Sequence, residues 1–478
     1  MLSRPSAGGA SSLLKPFVCT RCLRRGAAAR NGASSATAAA PPPSTRNNRI
    51  RTFATATTAP NAAPAPPTTT ANPTPAAAVA PLPTRRLIAL AGPDAPKFLQ
   101  GLTTNNVAPA QRAGWYTAFL NAQGRVLHDA FVYPSAAANA AAGGAGATTT
   151  TDDDWACFIE VDGGSVDALA RVLRRHKLRS KVRMRVVDDG EWAVWSAWLP
   201  PACSPDGDAG LVSALDGLRG ESTGSGSDVV HLPDERAPGF GHRVLVPGGG
   251  GAQLPAPLEG LERVGVREYT VRRYLYGVPE GPREIRAEEA LPLESNVDLM
   301  RGVDFRKGCY VGQELTIRTK HTGVVRKRIL PVRLYDLDGP EPEGLEFVED
   351  GLAEGLPAEA ADIKKIAGGE GESGAEGGVS RRRNANRSAG KWLAGVGNIG
   401  LALCRLEMMT DVKVAAEGMG AGGGGYKPGM QFELKWTVDG EEQNERSVGI
   451  KAFVPEWHHL RTEEEARGRK KKTQQVVA

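Results

Sequence analysis

Four low-complexity runs set the main limit on what this chain can fold into. Residues 135–154 (SAAANAAAGGAGATTTTDDD), 204–228, 367–391 and 415–425 consist largely of Gly, Ala, Ser and Thr with scattered charges. Such compositions cannot bury enough apolar surface to offset the entropy of ordering, so they read as surface insertions. Between them lie only short patterned stretches, enough for brief strands and helices.

Those stretches alternate in kind. RRLIALAG (85–92) reads as a strand, and PDAPKFLQGL (93–102) as a helix capped by Asp94, with Phe98, Leu99 and Leu102 on one face. WYTAFLNAQGRVLHDAFVY (115–133) is two β-rich runs joined at Asn121–Gly124, a hairpin signal. WACFIEV is a strand, SVDALARVLRRHKL an amphipathic helix, and KVRMRVVDD and EWAVWSAW are further strands. This order predicts an α+β layer of antiparallel sheet with packed helices over 84–330. Beyond Leu330 the patterned pieces are short, glycine-rich strands, which predict a small C-terminal β-barrel over 331–460, interrupted near 339–390 and 415–427 and followed by a charged tail, 461–478.

The N-terminus is different again. From Met1 to Pro93 there are eleven basic residues and no Asp or Glu. Residues 1–53 read as a mitochondrial presequence, with Arg51, Phe53 and Ala54 resembling a processing site, and 54–83 as an Ala/Pro/Thr linker. A disordered basic tail and a chloroplast transit peptide share that composition. Residues 94–478 hold 48 Lys and Arg against 54 Asp and Glu, so the basic pI of the whole chain does not indicate nucleic-acid binding. The run Arg171–Arg185 is then the solvated face of a helix and strand. The uncharged run 54–83 lacks the Leu, Ile and Val needed to enter lipid.

Six cysteines stand at 19, 22, 157, 203, 309 and 404. They are too scattered for a disulfide framework, and Cys19 and Cys22 lack a second ligand pair. Cys157 and Cys404 sit in apolar runs and read as core. Cys309 is different: it lies in RKGCYVGQE (306–314), which reads as a turn at Gly308 followed by the opening of a helix. A thiol at a helix N-terminus beside Lys307 favours thiolate. A thiolate serves as nucleophile or metal ligand, yet the nearest histidine, His321, is twelve residues on, and one cysteine cannot hold a cluster alone. Shared ligation with a partner fits these residues, as does a buried cysteine at a helix start.

KGCYVGQE resembles the signature of the folate-binding YgfZ group of the aminomethyltransferase (glycine-cleavage T-protein) superfamily. GPDAPKFLQGLTTNNV with FLNAQGRVLHD (92–129), RYLYGVPEG (273–281) and 290–328 resemble its mitochondrial branch, the transferase-like iron–sulfur cluster assembly factors. The resemblance implies an aminomethyltransferase-like N-terminal domain around a folate-type cavity lined by Asp129, Asn106 and Tyr310, plus the C-terminal barrel. It implies a role in the mitochondrial matrix in maturing [4Fe–4S] proteins with A-type scaffold partners. There Cys309 is the shared ligand of a transient [2Fe–2S] or [4Fe–4S] cluster, supported by Lys307, Gly308, Gly312, Gln313 and Glu314. Two departures speak against tetrahydrofolate. LHDA keeps only Asp129 of a carboxylate pair, and RYLYG puts Leu275 where folate users carry a glutamate. Leucine leaves pterin N–H groups unpaired, at roughly 1–3 kcal/mol each. A folate-dependent one-carbon enzyme is the alternative reading, and a folate-sensing module a third.

The remaining motifs read as structural. Trp192, Trp195 and Trp198 pack a strand; GVGNIG (395–400) lacks the βαβ frame of a dinucleotide loop; Arg326, Lys327 and Arg328 lie on the open side of a strand; LPLESN (291–296) shapes a wall; His458 and His459 are solvent-exposed.

Overall fold

In the computed structural model, the residues described are 74–107, 114–143, 155–200, 229–248, 253–322, 324–350, 352–353, 356, 361–366, 388–412, 426–437, 445–464 and 467. The expected presequence, most of the linker, Cys19, Cys22, Cys203 and the low-complexity run 204–228 lie outside them.

Two five-stranded sheets and a closed barrel make up this part of the chain. The first sheet has the order β3 (Trp115–Leu120), β4 (Val126–Pro134), β5 (Ala156–Asp162), β2 (Arg85–Ala91) and β6 (Arg183–Val186), all antiparallel. The second runs β10 (Glu262–Arg263), β1 (Ala78–Pro81), β7 (Trp192–Trp198), β9 (His242–Pro247) and β8 (Val230–Pro233). One apolar core joins their facing sides, with Leu87, Phe131, Phe158, Trp198, Leu245 and Tyr269 all buried. Each outer face has its own cover. Helix Val166–Lys177 buries Val166, Leu169 and Leu173 on the first sheet, leaving Arg171, Arg174 and Arg175 exposed as expected. Leu254 and Leu258 cover the second, where Trp195 also packs.

The barrel closes in the order β11 (Lys327–Tyr335), β14 (Ile399–Arg405), β13 (Gly390–Val396), β12 (Asp362–Lys365), β15 (Phe432–Thr437) and β16 (Glu445–Ala452). GVGNIG is its β13–β14 turn. A Cβ on Gly395 or Gly400 would come within 2.5 or 2.3 Å of the Trp392 ring, so the glycines are packing residues.

Several boundaries move. Ala78–Pro81, inside the expected linker, is a fully engaged strand: β1 pairs with β7, and Ala78, Val79 and Ala80 are buried. Small side chains with no apolar contrast hid it. In the expected insert 135–154, Ala137–Ala141 forms a helix against the sheet core, where Arg183 donates to Asn139 Oδ1 at 2.7 Å; alanine lets the helix lie close to the strands. Within 339–390, Asp362–Lys365 supplies a barrel strand whose single inward residue, Ile363, is too brief a pattern to read. The tail also starts late. Residues 456–464 are helical, and they bury Trp457, His458 and Arg461 against the sheets. His458 is thus buried, contrary to the exposure expected of it, while His459 is exposed.

These burials set a pH dependence. Burial pushes His128 down to about 4 and His458 well below the usual imidazole range, where Arg328 and His459 add to the effect. The unfolded chain takes up these protons near pH 6.5, and the native chain resists. Stability is therefore expected to be complete above about pH 6.5 and to decline as pH falls from there toward 4. Urea midpoints across that range test it: His128→Gln and His458→Gln should each flatten the decline.

Candidate functional site

Three sequence blocks far apart in the chain meet around Cys309. Its segment is clamped between the loop 101–107 and the tip of the β3–β4 hairpin. Val311 N donates to Gly101 O at 3.0 Å, and Asp304 N to Thr104 O at 3.1 Å. Lys307 Nζ donates to Thr103 O at 2.5 Å and Asn105 O at 2.8 Å, and lies 4.9 Å from the centroid of the Tyr310 ring. Asn105 Nδ2 donates to Tyr116 O and Arg301 O, and Thr104 Oγ1 to Gly302 O at 2.6 Å. Arg301 sits at φ 58°, so these carbonyl bonds hold a backbone conformation that non-glycine residues seldom adopt.

Gly312 explains its own presence. Its φ is +77°, and a Cβ there would stand 2.2 Å from Asn121 O and 3.0 Å from Leu120 Cβ. Gly124, at the hairpin tip, faces it at φ +80°, so two glycines let the motif and the hairpin turn touch through backbone. Gly308 has no such need. A Cβ there meets nothing within 4 Å, and its φ lies outside the left-handed range that favours glycine. Gly312→Ala is accordingly expected to destabilise by about 2 kcal/mol or more, and Gly308→Ala by less than about 0.5 kcal/mol. Denaturant melts of the two variants measure the contrast.

The helix begins later than the sequence suggested. It spans Gln313–Thr322, with Gln313 Oε1 accepting from Tyr310 N at 3.3 Å and Glu314 exposed in the first turn. Cys309 therefore lies four residues ahead of the helix, in an exposed loop, and the dipole argument does not reach it. Lys307 is committed to carbonyls, and burial lowers its ammonium to about 8. The buried helix-start reading fails as well, because Cys309 is exposed while Cys157 and Cys404 are fully buried. Among the described residues no three His, Cys, Asp or Glu are grouped closely enough to hold a metal ion.

The three expected cavity residues have different partners. Asn106 belongs to the clamp, its Oδ1 accepting from Gln100 Nε2 at 2.9 Å. Tyr310 is buried in the inter-sheet core, and burial pushes its phenol up to about 12. Asp129 lies deeper, accepting from Gly281 N at 3.1 Å, with Arg85 4.0 Å away; burial raises its carboxyl against the pull of that guanidinium.

Asp129 is one member of a buried ion-pair cluster between the sheets that the sequence reading missed. Arg85 pairs with Glu160 at 2.6 Å, and Arg236 with Asp234 at 2.7 Å and Glu280 at 2.8 Å. Arg243 contacts Glu160, Asp234 and Glu280. Tyr269 Oη donates to Glu280 Oε2 at 2.8 Å, and Tyr133 Oη to Glu160. Arg236 and Arg243 each stack 4.8 Å from the Phe131 centroid. Burial alone raises the Glu280 carboxyl, but Arg243, Arg236 and Arg85 pull it well below the usual carboxylate range. A signal existed. By strand alternation Arg85 shares a face with Leu87, Asp129 with Phe131, Glu160 with Phe158 and Arg243 with Leu245, so four charges point inward with the core.

Leu275 faces elsewhere. It packs with Ile329, Leu393 and Leu401 between helix Val266–Tyr276 and the barrel, not in the inter-sheet space, so it marks no vacant pterin acceptor. Arg328 is likewise not on an open strand side: it grips Asp298 at 2.6 and 3.0 Å and donates to Leu293 O, while Lys327 pairs with Glu294 at 3.0 Å. These bonds tie LPLESN to the barrel.

Residues 326–424 match a family model described as CAF17, C-terminal beta-barrel domain. Over 390 residues the chain is 43% identical to the iron-sulfur cluster assembly factor IBA57 homolog, mitochondrial, of Aspergillus fumigatus, covering 78% of this chain and 80% of that one. The chain belongs to the IBA57 family. The homolog from Pyricularia oryzae is 44% identical over 379 residues, covering 79% and 83%. Members of the family are named as mitochondrial, and this is a mitochondrial protein. The crystal structure of the glycine cleavage system aminomethyltransferase T from Bartonella henselae is similar at a TM-score of 0.49 and 13% identity, covering 80% of this chain and 86% of that chain. For the IBA57 family member described here, no helix among the described residues is long and apolar enough to cross a membrane.

Proposed function

We propose that this protein is an iron–sulfur cluster assembly factor of the mitochondrial matrix that presents Cys309 as one ligand of a cluster shared with an A-type scaffold protein, in the maturation of [4Fe–4S] proteins. The observation that carries this reading is the mounting of Cys309. An exposed thiol stands on a loop fixed on two sides by the 101–107 clamp and the Gly124–Gly312 contact. Such a mounting holds a ligand still while leaving it open to a partner. Among the described residues no three His, Cys, Asp or Glu are grouped to hold a metal ion, and in this reading the cluster, [2Fe–2S] or [4Fe–4S], is cargo completed by the scaffold's own thiolates.

Tetrahydrofolate is not part of this reading. The inter-sheet face that would receive a pterin is occupied by Arg236 and Arg243 stacked on Phe131 and by carboxylates already paired with arginine. Opening that space would strand buried charges. No one-carbon step is assigned to these residues.

Anaerobic cluster reconstitution tests the proposal. The protein mixed with an A-type scaffold should develop cluster absorbance that neither the scaffold alone nor this protein alone reproduces. Identical spectra with and without this protein would reject shared ligation.

A further inference from the structure

Helix Val166–Lys177 ends in a basic run whose closing turn holds the wrong residue. From Val166 to Met184 seven Lys and Arg stand against one carboxylate, Asp167. Arg171, Arg174, Arg175 and Leu178 are spaced i, i+3, i+4 and i+7, so they share the outer face of the helix and its cap. All four are exposed, as are Arg179, Lys181 and Lys97. Among the described residues, Arg171, Arg174, Arg175 and Arg179 have no ion-pair partner. Cations in a last helical turn complement the helix dipole, which accounts for Arg174, Arg175 and Lys177 but not for the others.

Leu178 breaks a local rule. Ser180 N donates to Lys177 O at 2.8 Å, closing a turn with Leu178 and Arg179 at its centre. Leu178 has φ 44° and ψ −113°, the geometry of the first central residue of a type II′ turn, which glycine adopts without strain. At 88% exposure it is also the most exposed large apolar side chain among the described residues, so no packing offsets the strain. Beside it lies a hollow of about 820 Å³ lined by Asp94, Lys97, Phe98, Leu178, Arg179 and Ser180. Phe98 gives the hollow a buried apolar lining, Lys97 and Arg179 are exposed at it, and Asp94 Oδ2 accepts from Lys181 N at 2.6 Å.

We propose that this face docks on an anionic lipid bilayer, with Leu178 entering the acyl boundary, Arg171, Arg174, Arg175 and Arg179 over the phosphates, and the hollow beside Lys97 receiving a headgroup. Each Lys or Arg held near an anionic surface is worth about fivefold in binding, and burying one leucine about tenfold or more. Several such cations with one apolar wedge give reversible attachment without a membrane-spanning helix. Lipid fits this face better than nucleic acid does. Among the described residues no aromatic ring is exposed there for bases to stack on, and a protruding leucine gains nothing against phosphates. The docking uses no part of the Cys309 loop and is independent of shared ligation.

Flotation of the protein purified from mitochondria, with vesicles of phosphatidylcholine alone or with added cardiolipin, tests the proposal. The wild type should bind the cardiolipin vesicles at least about tenfold more tightly, and about 0.5 M salt should remove most of that preference. Arg171→Glu/Arg179→Glu, which spares the last helical turn, should weaken binding at least about tenfold with little change in melting midpoint. Arg263→Glu/Lys427→Glu, an equal charge change at exposed positions elsewhere, should leave binding within about twofold. Leu178→Gly should weaken binding at least about fivefold while the melting midpoint holds or rises, because glycine suits that φ. A leucine with a purely structural role would move the midpoint and not the vesicles. The docking face is overturned by a wild type without preference for cardiolipin, by equal losses in the two double variants, or by full binding of Leu178→Gly. Binding of a duplex RNA that displaces the vesicles and depends on Arg171 and Arg179 but not on Leu178 overturns it too, and gives the face to nucleic acid.

Discussion

Cys309→Ser is expected to abolish the cluster absorbance of the mixed complex and the activity of [4Fe–4S] enzymes in cells, while the melting temperature barely moves. The side chain is exposed in a loop, and an exposed substitution away from packing or caps usually shifts stability by within about 0.5 kcal/mol. The clamp that fixes the loop uses backbone groups, Lys307 and Gly312, none of which needs the thiol. Cys157→Ser and Cys404→Ser should do the reverse. Both thiols are fully buried, and a hydroxyl without a good partner there costs roughly 1–3 kcal/mol without touching ligation. Cys309→Ala separates ligand from packing residue. Full client activity with alanine, or an unfolded protein, would remove Cys309 from the mechanism.

Glu280→Ala is expected to be among the most destabilising single changes in the chain, at about 3–5 kcal/mol. Its carboxylate accepts from Arg236, Arg243 and Tyr269, and both arginines are fully buried. Truncation leaves two guanidinium groups without that counter-charge in a space closed by Phe131, Tyr116 and Phe240. Glu349→Ala provides the contrast, since its pair with Arg267 is solvent-exposed and worth no more than about 1 kcal/mol. Denaturant midpoints for both variants decide the matter. If Glu280→Ala melts with the wild type, the inter-sheet space is softer or wetter than the packing of these arginines indicates, and the argument against a pterin there falls with it.

The sequence by itself determined the parts whose physics is local. Alternation and turn chemistry located β2, β3, β4, β5 and β7, and the 3.6-residue period located helix Val166–Lys177. The exceptional character of the Cys309 stretch was legible too, because a lone cysteine among glycines, a lysine and a glutamine has few bland explanations. Where the reading failed, the signal lay in a distant partner. Ala78–Pro81 and Asp362–Lys365 are strands because neighbours complete their hydrogen bonds, and nothing in four residues announces that. Gly312 is indispensable because a hairpin tip some 190 residues earlier lies against it, whereas Gly308, identical in sequence terms, faces solvent. Cys309 is four residues clear of its helix, and Lys307 turns to carbonyls of another loop; neither choice is encoded in the motif's own spacing. Strand parity placed Arg85, Asp129, Glu160 and Arg243 on core-facing positions, yet only the apposition of two sheets shows that they neutralise one another. A buried charge is tolerable only when its partner is also present, and that partner is chosen in space, not along the chain.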